Sequence, residues 1–127
     1  MPSAQTLERF IARVESNAHV QAIEEFYTEG ASMQENTNPP RVGRDKLVAS
    51  ERATLSRVRS VQSRCVLPVF VDGDRVVVRW IFCFEGSDGR VRELEELAYQ
   101  RWEGERIAQE QFFYDPSQFV WREAPSS

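Results

Sequence analysis

The sequence predicts an α+β fold: three amphipathic helices laid on the concave face of a curved, mainly antiparallel but mixed sheet. Three observations predict it. Apolar residues recur at helical spacing up to Arg59, and from Val61 onward the period drops to two. Two long strand patterns, 90–102 and 106–114, are joined at Glu103, Gly104 and Glu105 and stopped by Asp115 and Pro116. Helices placed first and consecutive strands placed last argue for α+β rather than an alternating, parallel-sheet protein.

Each element has its own signal. A first helix is expected over 6–16, where Leu7, Phe10, Ile11 and Val14 fall on one stripe. Asn17 can cap a second helix with Val20, Ile23, Phe26 and Tyr27 on its face, and Gly30 ends it. A short strand over 31–35 follows, then a loop over 36–40, because Pro39 and Pro40 remove backbone donors. Gly43 opens a third helix reaching about 59, with Leu47, Val48, Leu55 and Val58 on one side. A strand over 61–71 turns at Asp72 and Gly73 into a second over 75–84. A looser turn at 86–89 leads into the final hairpin, giving the order α-α-β-α-β-β-β-β. Phe119 to Trp121 can still pack, and 124–127 is expected to fray.

Composition removes several function classes. At 127 residues the chain makes one domain, burying roughly two thirds of its unfolded surface. A net charge of −4 gives no basic stripe for nucleic acid and does not suit an anionic membrane. No apolar run approaches the ~20 residues that span a bilayer. Residues 1–5 lack the basic and apolar regions of a signal peptide, so a cytoplasmic address is expected. Cys65 and Cys83 lack metal or redox spacing and read as free, buried, small hydrophobes. With one histidine, His19, expected on the surface, no metal site is expected, and no cofactor motif occurs.

The stretches FYTEGASMQE (26–35), VGRDKL (42–47) and GERIAQEQFFYD (104–115) resemble the nuclear transport factor 2-like superfamily. Within it the chain is similar to the SnoaL-like, polyketide cyclase-like branch and to the ketosteroid isomerase group. The resemblance covers essentially the whole chain. It implies a cone-shaped, cystatin-like α+β fold and a homodimer formed through the outer sheet face. It is weakly specific for activity, since this fold hosts isomerases, cyclases, hydrolases and non-catalytic binders. Position by position, the isomerases' proton-abstracting aspartate corresponds to Glu35. Their tyrosine proton donor falls at Phe10, which has no hydroxyl, and their second aspartate falls at Ala98. Both oxyanion donors are thus missing. The SnoaL-like acid/base residue on the closing strands has three candidates here, Glu96, Glu110 and Asp115.

Alternation assigns faces once a register is chosen. A three-residue loop at Glu103 to Glu105 pairs Trp102 with Arg106. It sets Ala98 opposite Glu110, Glu96 opposite Phe112 and Leu94 opposite Tyr114. The resemblance places Ala98 in the pocket, which implies that this row faces the helices, so Glu96 and Glu110 are diagonal neighbours roughly 7 Å apart on one inward face. A two-residue loop would instead bring Glu95 inward. Two carboxylates in an apolar cavity raise at least one pKa toward neutrality, which suits general acid–base work. The expected catalytic set is Glu35, Glu96, Glu110 and Tyr114, the last donating to a substrate oxygen. The expected walls are Phe10, Val14, Val78, Trp80, Phe82 and Phe84, with Ala98 and Phe112, around a small hydrophobic molecule.

Each candidate also has an ordinary structural role open to it. Glu96 can pair with Arg79, Glu110 with a buried arginine, and Asp115 can simply end the strand. The aromatic row of Trp80, Phe82 and Phe84 is core unless a cavity is left unfilled. Arg79, Leu97, Tyr99 and Arg101 belong to the outer face. Three functions therefore remain: a cofactor-free acid–base enzyme on a carbonyl or polyketide-like compound, a non-catalytic binder of the same ligand, and a dimerising module with a solid core.

Overall fold

The computed structural model of the chain describes residues 1–125. Three helices and one open, six-stranded mixed sheet make the α+β architecture expected. Helix α1 spans Ala4–Glu15, and the Ser3 side chain caps it by accepting from the Thr6 N–H at 3.0 Å. Its buried stripe is Thr6, Leu7, Phe10 and Val14. Helix α2 is only His19–Phe26. Asn17 does not cap it; with φ of 68° it closes the end of α1 in the left-handed region, which asparagine tolerates.

Gly30 does not end α2 either. The chain turns extended at Tyr27, and strand β1, Tyr27–Glu35, includes the glycine, with its pairing to the neighbouring strand shifted between Tyr27 and Ser32. Strand pairing overrides local propensity here, because Tyr27 is already registered against Ile107 in a parallel pair. A two-residue strand β2, Arg41–Val42, pairs with β1 and has no hydropathy signal of its own. Helix α3, Arg44–Ser56, starts after Gly43, whose φ of 105° only glycine takes easily.

Strands β3, Ser60–Asp72, β4, Arg75–Glu85, β5, Val91–Glu103, and β6, Arg106–Phe113, complete the sheet in the order β2-β1-β6-β5-β4-β3. Asp72 pairs with Arg75, so the β3–β4 turn is Gly73 and Asp74, one residue later than the sequence suggests. In β4 and β5 the even-numbered residues are buried beneath the helices and the odd-numbered ones face outward. Phe10 is the keystone between the layers. Its ring meets Phe26, Tyr27, Trp80 and Trp102 edge-on, at centroid distances of 5.5 to 6.4 Å. Truncation of such a fully packed ring costs about 3–5 kcal/mol.

The closing hairpin departs from the expected register in an instructive way. Its loop has two residues, Gly104 and Glu105, because Glu103 pairs with Arg106. That loop alone would turn Glu95 inward. Between Trp102↔Ile107 and Arg101↔Gln109, however, Ala108 is an extra residue, a β-bulge. The bulge restores the parity, so Glu96 stays inward and Glu95 outward. It also moves the partners: Glu110 faces Gln100 and Phe112 faces Ala98. The expected diagonal contact between Glu96 and Glu110 is therefore absent, since they lie four residues apart in register, roughly 13 Å along the strand.

After β6, Asp115 accepts from the Ser117 N–H and caps a 3-10 turn, Pro116–Gln118. The tail then returns to the sheet, where Arg122 bridges Val91 through hydrogen bonds of 2.8 and 2.7 Å. Of the segment expected to fray, residues 126 and 127 lie outside the described residues. Both cysteines are free and half-buried rather than fully buried. Cys65 pairs with inward Trp80 and Cys83 faces the other way, so they cannot form a bridge within one chain.

Candidate functional site

Between the helices and the inner sheet face lies a cavity of about 640 Å³. Its apolar wall includes Phe10, Val14, Trp80, Phe82, Phe84 and Phe112. Trp80 and Phe82 are stacked on each other, with centroids 5.6 Å apart. Glu35, Glu96 and Glu110 all line the same space.

Glu110 is the centre of the arrangement. It is 2% exposed, and no cation lies within ion-pair range of it among the described residues. The Tyr27 hydroxyl donates to one carboxyl oxygen, and Gln100 Nε2 donates to the other at 2.7 Å. Gln100 is itself held by Trp102, whose Nε1–H donates to Gln100 Oε1 at 2.9 Å. Indole can only donate, so it fixes which end of the amide faces Glu110. Burial drives the carboxyl toward its neutral form, and these two hydrogen bonds partly restore the ionised one. The balance raises its pKa from 4.5 to about 7. Tyr27, buried beside it, is pushed well above its usual value and stays a donor.

The other acids differ. Glu96 is nine-tenths buried, has no hydrogen-bond partner among the described residues, and is raised well above 4.5 by burial, then by Glu35 and Glu110. It therefore holds its proton more tightly than a free glutamate does. Its alternative partner Arg79 bonds Glu95 on the outer face. Glu35, half-buried, is also raised by burial, partly countered by Arg41 at 3.9 Å, and its Oε2 has no partner.

Three expected site residues are placed elsewhere. Val78 and Ala98 are fully buried and pair with each other across β4 and β5, and neither is part of the cavity lining. Tyr114 follows the end of β6 and packs its ring against Phe119 at 5.3 Å, outside the lining. Its pKa is raised by burial, then by Glu35 and Glu96. Strand β6 ends at Phe113, and the Tyr114 N–H donates to Asn36 Oδ1 at 3.0 Å.

Residues 7–110 match the SnoaL-like domain family. The chain belongs to the SnoaL-like family. Solved structures of low identity share its fold. An NTF2-like protein of unknown function from Burkholderia pseudomallei has 14% identity and a TM-score of 0.76, over 90% of this chain and 91% of that one. A protein assigned as a SnoaL-like polyketide cyclase from Mesorhizobium loti has 17% identity and a TM-score of 0.74, over 90% of this chain and all of the other. TerC, co-crystallised with polyporic acid, has 11% identity and a TM-score of 0.76, over 91% and 92%. No curated protein matches by sequence.

In this SnoaL-like chain the residues missed from sequence are the ones that hold Glu110. Gln100 and Trp102 lie on the same even-numbered row of β5 as Glu96, so alternation alone could have found them. Tyr27 could not be found that way, because it reads as the last residue of a helical stripe. His19 corrects a second expectation. It is not on the surface: it lines the cavity, edge-on to Phe82 at 5.3 Å. Its Nδ1 lies 3.2 Å from Glu51 Oε1 and its Nε2 lies 2.7 Å from Ser63 Oγ. Because a carboxylate only accepts, Nδ1 carries the proton, and in the neutral ring Nε2 accepts from Ser63. Among the described residues no His, Cys, Asp and Glu cluster has the makeup of a metal site. No described helix is long and apolar enough to cross a membrane.

Proposed function

We propose that this SnoaL-like protein is a cofactor-independent acid–base catalyst acting on a small, hydrophobic carbonyl compound of polyketide-like character. The observation that carries the proposal is Glu110, a buried carboxyl held by two neutral donors and poised at about 7 on the cavity wall. Each of its oxygens accepts one hydrogen bond and keeps a lone pair for a substrate proton. Ionised Glu110 removes a proton from the carbon next to a carbonyl. Protonated Glu96, farther along the wall, donates to the oxygen of a second carbonyl as charge develops there, the role of an oxyanion donor. Returning the proton to another carbon completes an isomerisation, and attack of the enolate carbon on a second carbonyl completes a cyclisation. The donors thus come from positions other than those of the ketosteroid isomerases. TerC with polyporic acid supports the fold as a host for such a compound.

The test is hydrogen–deuterium exchange of an enolisable bicyclic ketone, 2-tetralone, followed by proton NMR in D₂O at pD 7.5. The expected result is exchange faster than buffer, abolished by Glu110→Gln. Exchange at the buffer rate with wild-type protein refutes the catalytic reading. Binding of the ketone without exchange would favour the non-catalytic binder, which the same cavity also serves.

We also propose that the protein acts as a homodimer through the outer sheet face, in a reducing cytoplasm that keeps both thiols free. Leu97, Tyr99 and Phe113 share that face and are 45%, 41% and 45% exposed, an apolar patch that a second copy would cover. Sedimentation at micromolar concentration is expected to give twice the monomer mass, and a lone monomer would refute the dimer.

A further inference from the structure

We infer that the cavity takes an anionic ligand, a flat apolar molecule bearing a carboxylate or an equally acidic enol, and that Arg92 holds the charged end. The inference rests on the cavity being a small-molecule site. Arg92 is on the inward row of β5 and lines that space. Its guanidinium carbon stands 4.6 Å from the ring centre of Trp121, 5.1 Å from Phe119 and 5.7 Å from Phe84. Three aromatic faces hold the charged group in place and offset part of its lost hydration. They supply no hydrogen-bond acceptor in the guanidinium plane. Nε of Arg92 is buried without a partner, and no described carboxylate lies within ion-pair distance of the side chain.

The contrast with other arginines is informative. Among the described residues only Arg92 and Arg41 bury a guanidinium nitrogen without a partner. Arg9, Arg13, Arg59, Arg75, Arg79, Arg90 and Arg101 are paired with acids, and the remaining arginines leave no such buried nitrogen. The chain carries more acidic than basic residues, 20 against 16, so partners are not scarce. Arg41, also on the cavity wall, repeats the pattern, since its Nε is buried without a partner and its one acid, Glu35, is 3.9 Å away. Buried guanidinium N–H groups without acceptors are costly, and a carboxylate is the acceptor that a planar fork fits best. The acids on the remaining wall fix the ligand's direction: a second anionic group beside Glu35, Glu51, Glu96 or Glu110 would be repelled. The reacting end is therefore the neutral carbonyl, and the anion is remote from it.

Trp121 and Phe119 also place a reporter on the site, because Trp121 lies against Arg92. The experiment is a tryptophan-fluorescence titration at pH 7.5 with naphthalene-2-carboxylate and naphthalene-2-carboxamide, which differ in charge but hardly in shape. The carboxylate is expected to bind at least about tenfold more tightly in low salt. Arg92→Gln is expected to reduce that ratio below about threefold. If Arg92→Gln unfolds the tail, Arg92→Lys, which keeps the charge and loses the fork, is expected to lower the ratio part of the way. Equal affinities for the two compounds in the wild-type protein overturn the inference while leaving a small-molecule cavity. Binding of neither compound overturns both. A ratio that survives Arg92→Gln and collapses with Arg41→Gln overturns the assignment to Arg92.

Discussion

Replacing Glu110 by glutamine should abolish the pH dependence of stability that this one carboxyl imposes. Its folded pKa is about 7 against 4.5 for a free glutamate. A raised pKa means that the folded state binds the proton more tightly, so the group's stabilising contribution is complete below pH 4.5. It is lost as pH rises from there through 7. The shift corresponds to about 3.4 kcal/mol at about 1.36 kcal/mol per pH unit, so about 3 kcal/mol is the expected scale. Glutamine keeps the volume and the hydrogen bonds: its carbonyl can accept from Gln100 Nε2, and its amide can donate to the Tyr27 oxygen. It has no charge to bury. The difference in unfolding free energy, Glu110→Gln minus wild type, is therefore expected to rise by about 3 kcal/mol between pH 4.5 and 8.5. Urea denaturation at a series of pH values measures it, and contributions from Glu35 and Glu96 largely cancel in the difference. A difference constant within about 0.5 kcal/mol would show that Glu110 titrates as an ordinary carboxyl, and the proposed base would go with it.

Tyr27→Phe removes the donor to Glu110, so carboxyl ¹³C titration should place Glu110 above the wild-type value, with a cost of about 1–3 kcal/mol at pH 8. A downward or absent shift would contradict the opposing roles assigned to burial and hydrogen bonding. Trp102→Phe frees Gln100 to rotate its amide and is expected to raise the same pKa by a smaller amount, read in the same titration. Deleting Ala108 joins Ile107 to Gln109, so the ladder closes without the bulge while Glu110 and Phe112 still face inward. A cooperative thermal transition and an unchanged Glu110 titration are expected, and loss of either would show that Ala108 is not the extra residue.

The sequence alone determined the layered architecture, because periods of 3.6 and 2 are written into the chain wherever one face must be buried. The even-numbered rows of β4 and β5, the aromatic wall and the inward Glu96 and Glu110 follow from that alternation. Where one residue more or less changes everything, alternation was insufficient. The two-residue loop at Gly104 and the bulge at Ala108 cancel in parity, so the faces came out as expected while the partners did not. Tertiary structure alone decided that Glu110 rests between Tyr27 and Gln100 instead of an arginine, that His19 faces inward, and that Val78, Ala98 and Tyr114 leave the cavity lining. The physical reason is common to all of them. A periodic pattern specifies which side of an element is buried, but a hydrogen-bond partner is set by where another element, distant in sequence, brings its own polar atoms.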